Sequence, residues 1–81
     1  MDWRVNRITR LAAEVVLLED RLGVVAQQVD TARQTLESDG LTYQAWAQAA
    51  HEYGMASGSM FCLENRLKIV RGRLHFAVDA L

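Results

Sequence analysis

The sequence predicts an all-α fold: a long antiparallel two-helix hairpin, coiled-coil-like, that completes a four-helix bundle by dimerisation or partner docking. Three observations predict it. Apolar residues recur in two long runs with alternating steps of three and four, the spacing of a coiled-coil seam. One turn signal, around Gly40, separates the runs. No proline occurs in 81 residues, of which 51% are hydrophobic and only 7% aromatic, a mix that suits helices and not a turn-rich β fold.

The first run is Ile8, Leu11, Val15, Leu18, Leu22, Val25, Val29, Ala32 and Leu36; the second is Trp46, Ala49, Tyr53, Ala56, Met60, Leu63, Leu67, Val70, Leu74, Ala77 and Leu81. The expected layout is a single domain over 1–81, with a helix at 2–39, a turn at 40–42 and a helix at 43–80. In LESDGLTYQAW, Gly40 suits a left-handed position just past the first helix, and Thr42 suits the N-cap of the second. Leu41 and Trp46 then stand where a hydrophobic staple forms. So short a connection makes the helices antiparallel. Register stays open: pairing residues whose numbers sum to 78 sets Ala32 by Trp46, and a sum of 85 sets Ala32 by Tyr53.

The stretch HEYGMASGSMFC, residues 51–62, tests this layout because it holds two glycines and two serines. A loop there has no reason to keep the seam in phase, yet Tyr53, Ala56 and Met60 carry the rhythm straight through it. The reading is one continuous helix, in which each interior glycine costs about 1 kcal/mol relative to alanine. Gly54 and Gly58, four residues apart, form a smooth strip on which another helix can pack closely; a local kink is the alternative.

Apolar residues also recur off the seam at seven-residue spacing: Leu17 and Val24 on the first helix, Met55, Cys62, Ile69 and Phe76 on the second. Val16, Phe61 and Ala13 are expected to widen this stripe. Ordinary core is one explanation; the other is a face that meets a second copy or another protein. The candidate protein interface is therefore Leu17, Val24, Gly54, Met55, Gly58, Cys62, Ile69 and Phe76.

Charge is uneven along the chain although its net value is only −1. Arginines crowd the end where the termini meet, and Arg4, Arg7 and Arg10 oppose the dipole of the helix they begin. Arg7 also falls near Arg73 in either register, a like-charge approach that an acidic partner relieves. Arg4, Arg7, Arg10, Arg71 and Arg73 are thus candidate contacts for an acidic partner or for phosphates. Eight arginines to one lysine is a bias expected of a high-GC bacterial or phage genome. The one cysteine, Cys62, allows no internal disulfide, so a reducing cytoplasm is the expected compartment. No apolar run is long enough for a membrane span.

Catalytic and cofactor chemistry finds no support. His51 and His75 lie far apart with no i,i+4 partner able to complete a metal site, and Cys62 is in no CxxC pair. Glu64 and Lys68 make a helix-supporting pair, not an acid–base dyad. The expectation is a non-enzymatic protein-binding module without metal, cofactor or small-molecule substrate: a chaperone, adaptor or inhibitor acting through its apolar face. A nucleic-acid-binding regulator that uses the arginine-rich end is the alternative. No turn motif of a known hairpin family is present, since Trp46 is followed by Ala47 and Gln48 and not by the glycine of a Trp-x-Gly turn.

Overall fold

Two helices and one connection account for residues 2–81, which a computed structural model describes. Helix α1 runs Trp3–Leu36 and helix α2 runs Tyr43–Asp79. They pack antiparallel into a rod of 60 × 16 × 14 Å. Each helix starts where a side-chain oxygen satisfies a free N–H group. The Arg4 N–H donates to Asp2 Oδ1 at 3.0 Å, and the Ala45 N–H donates to Thr42 Oγ1 at 3.1 Å, so Thr42 is the N-cap the sequence predicts.

α1 stops three residues before the expected Asp39. The Ser38 N–H turns back to the Thr35 carbonyl at 3.1 Å, and the Ser38 hydroxyl donates to the Gln34 carbonyl at 2.9 Å. These short-range bonds compete with helix continuation, as serine and aspartate side chains commonly do. Glu37 is the C-cap, so Gly40 does not stand immediately after the helix. It takes φ +75° inside a longer connection, residues 37–42, and there its freedom to adopt positive φ is what lets the chain reverse.

The seam packs as its spacing requires through the middle of the rod, while Tyr53 and the last residue, Leu81, remain exposed. Leu18, Leu67 and Val70 form the buried centre, with Leu11, Val15, Leu22 and Leu63 packed around them; Val70 is fully buried at 0% exposure. Toward the turn the buried residues are Ala32 and Ala49, so the core is aliphatic at the middle and small at the turn end. Trp46 departs from the expectation. It remains 48% exposed and stacks on Tyr43 at 6.4 Å, because α1 has ended before it can cover that turn of α2.

Two inter-helix ion pairs decide the register. Arg66 donates to Glu14 at 2.8 Å and Arg71 donates to Glu19 at 2.7 Å. Residue numbers sum to 80 in the first pair and to 90 in the second, centred on 85. A seam summing to 78 separates Glu19 from Arg71 by about 18 Å along the axis at ~1.5 Å per residue, out of reach of both side chains. A seam summing to 85 offsets each pair by about 7.5 Å in opposite directions, which long side chains span. Ala32 thus meets Tyr53, and Leu36 meets Ala49.

α2 is unbroken through Gly54 and Gly58, and a Cβ at either position meets nothing within 4 Å. Neither is needed for close packing inside the hairpin. Gly54→Ala with Gly58→Ala should therefore stabilise the isolated hairpin by about 1–2 kcal/mol in total, read as a higher midpoint in urea denaturation. Leu67→Ala, which opens a hole in the buried cluster of Leu18, Leu67 and Val70, should cost about 2–5 kcal/mol and unfold much of the chain in the same assay.

Candidate functional site

The ion pairs also orient the two flanks of the rod. With the seams as heptad positions a and d, Glu14 and Arg66 are both at g, and Glu19 and Arg71 are both at e. One flank of the hairpin therefore joins g to g, and the other joins e to e. Position c lies about 40° from g around a helix with 3.6 residues per turn. Leu17, Val24, Met55, Cys62, Ile69 and Phe76 are all at c, so both helices present their off-seam apolar residues on the same g flank.

This flank carries a line of grooves. Near mid-rod an open groove of about 570 Å³ is lined by Val24, Val25, Cys62 and Leu63 together with Asp20, Arg21 and Ser59. Toward the turn a second, of about 500 Å³, lies among Thr31, Ala32, Met55, Ala56 and Ser59, with Gln28 and Glu52 at its edges. At the open end Trp3, Arg4, Arg7, Phe76, Ala77 and Ala80 leave a space of only about 50 Å³. The valley is widest on either side of Ser59, which lines both larger grooves, and narrowest at the open end, where Trp3, Arg4 and Arg7 meet Phe76.

Rungs cross the valley at equal heights. Thr31 lies by Met55 and Val24 by Cys62, as the shared grooves show. One heptad further on the same register sets Leu17 level with Ile69, and then Arg10 level with Phe76, each step being about 10.5 Å. None of these apolar side chains is core. Val24 is 61% exposed and Phe76 69%, with Leu17, Met55, Cys62 and Ile69 also exposed, so the stripe is surface in this hairpin.

Other expected members of the interface fall elsewhere. Val16 and Phe61 are at position b, on the e flank, and do not widen the stripe. Gly58 lies about 60° from Met55 around the helix and borders it; Gly54 lies about 100° away and turns toward the e flank. The e flank has Val5, Val16, Phe61 and Val78 exposed, spread among charges of both signs.

The basic end is partly neutralised. Arg66 and Arg71 are held by Glu14 and Glu19, which leaves Arg71 committed within the hairpin. Such surface pairs contribute about 0.2–1 kcal/mol each, enough to bias register. Arg4 stacks over the Trp3 ring at 5.7 Å. One heptad from Glu14 and Arg66, the same g–g geometry holds Arg7 and Arg73, so two arginines face each other where the neighbouring rung has an ion pair. Arg21, which lines the mid-rod groove, is a basic residue of this flank that the sequence reading overlooked; its g position was visible in the heptad count.

Among the described residues no three His, Cys, Asp or Glu side chains gather into a metal-binding group, and His75 instead sits 3.2 Å from Asp79 one turn along α2. No helix is long and apolar enough to cross a membrane. No protein-family model matches the chain, and comparison with curated proteins and with solved structures finds no significant match. Because Cys62 is exposed in the folded hairpin, a thiol reagent should label it fully in dilute native solution without denaturant; labelling that requires unfolding is the contrary result.

Proposed function

We infer that this chain is a non-enzymatic protein-binding module, of the chaperone, adaptor or inhibitor kind, that docks a helical partner or a second copy on its g flank to complete a four-helix bundle. The observation that carries this reading is the convergence of both c stripes, with their exposed large apolar side chains, on one flank that carries a line of grooves. An isolated apolar residue on a surface is ordinary; an aligned series from two helices is the surface that helix-on-helix docking buries. The single free cysteine and the arginine bias support a cytoplasmic bacterial or phage setting.

Binding is tested by charging the stripe. Val24→Glu with Ile69→Glu changes two exposed positions, so helicity by circular dichroism should be retained. Sedimentation and affinity capture should show that the wild-type chain associates and that this variant does not. Equal association by both overturns the assignment of the flank.

The alternative, nucleic-acid binding at the open end, rests on the small groove where Trp3 and Phe76 meet Arg4 and Arg7, a site for stacking beside phosphate contacts. A titration across salt separates the two: phosphate contact loses affinity steeply as salt rises, and apolar docking changes little.

A further inference from the structure

The apolar flank is also where the positive charge is gathered. Six basic side chains occupy its c, d and g positions: Arg4, Arg7, Arg10, Arg21, Arg66 and Arg73. Against them stand Glu14 and Glu52 at g, and Asp20 at the rim of the mid-rod groove. Six positive and three negative charges give this flank +3 in a chain whose total is −1, so the rest of the molecule carries −4. Glu14 is already engaged by Arg66, and among the described residues none of Arg7, Arg10, Arg21 and Arg73 is in an ion pair.

We propose that the occupant of this flank is an acidic helical pair: a two-helix partner whose contact face sets carboxylates between apolar side chains. This rests on the reading of the stripe as a docking surface and names the chemistry of what docks. Position g points straight out of the plane of the hairpin, and c leans outward by about another 40°. One helix lying in the valley reaches d and g; two helices, one above each of α1 and α2, are needed to cover Leu17 and Val24 on one side and Met55, Ile69 and Phe76 on the other. Carboxylates between them meet the unpaired arginines and remove the like-charge approach of Arg7 and Arg73.

A second copy fits less well. Two identical flanks stacked with like ends together lay α1 of one copy over α2 of the other and set Arg7 beside the other copy's Arg73. Stacked with ends reversed about the middle of the stripe, they bring Arg21 onto Arg21. Either way two net positive surfaces are apposed. Nucleic acid matches the arginines but offers nothing aliphatic to Leu17, Val24, Met55 and Ile69.

The test uses a defined acidic hairpin: this chain carrying Arg7→Glu, Arg10→Glu, Arg21→Glu and Arg73→Glu, which keeps the apolar spacing and the Glu14–Arg66 pair. All four positions are exposed, and circular dichroism checks that the probe is folded. At low salt the wild-type chain should bind this probe at least about tenfold more tightly than it binds itself, and added salt should reduce the difference. Leu17→Ala with Ile69→Ala should weaken the mixed complex. A wild-type homodimer as tight as the mixed complex, and lost in the Leu17/Ile69 variant, overturns the acidic partner and leaves the docking face standing. A mixed complex indifferent to Leu17→Ala with Ile69→Ala overturns both. Tighter binding of an RNA or DNA duplex, or of phosphatidylserine vesicles, than of the probe also overturns the proposal.

Discussion

One line of contact holds this molecule together: the meeting of two heptad seams along a rod 60 Å long and about 15 Å across. A two-helix hairpin has no second layer, so its interior is a single file of side chains with Leu18, Leu67 and Val70 at the centre. Every other apolar residue lies on the outside of the helices by geometry alone. The long row of exposed large side chains follows from that constraint, and so does the dependence on additional burial expected of so small a core.

The seam would pack nearly as well one heptad over, because leucine and valine repeat every seven residues on both helices. Polar pairs off the seam break that near-degeneracy. Glu14 with Arg66 and Glu19 with Arg71 sit on opposite flanks, offset in opposite directions along the axis, so together they bracket one register. Their energetic share is small. Their geometric share is large, since the register they select sets Val24 level with Cys62 and Leu17 level with Ile69.

Heptad position turns a charge pattern that is scattered along the chain into one that is segregated around the rod. Along the chain, the arginines read as a basic end. Around the rod they read as a basic flank, with Arg21 extending it to the middle, and that flank is the one bearing the apolar stripe. Apolar and cationic side chains interleaved on one surface complement a partner that is apolar and anionic, whereas the e flank sets Val5, Val16, Phe61 and Val78 among charges of both signs. The functional proposal therefore depends on position around the helix as much as on position along it.

The sequence specifies the two long helices, the continuity of α2 through Gly54 and Gly58, the N-cap at Thr42 and the off-seam apolar residues, because each is written in local spacing and capping chemistry. It could not set the end of α1, where Ser38 hydrogen bonds outweighed a continuing pattern, nor the exposure of Trp46 that followed. The flank each off-seam residue occupies follows from its heptad position, but which of them stand level across the valley depends on the register, and only the packed hairpin fixes that. The reason is physical: a seven-residue repeat is nearly indifferent to sliding by seven. Only contacts between side chains far apart in sequence, such as Glu19 with Arg71, distinguish one alignment from the next.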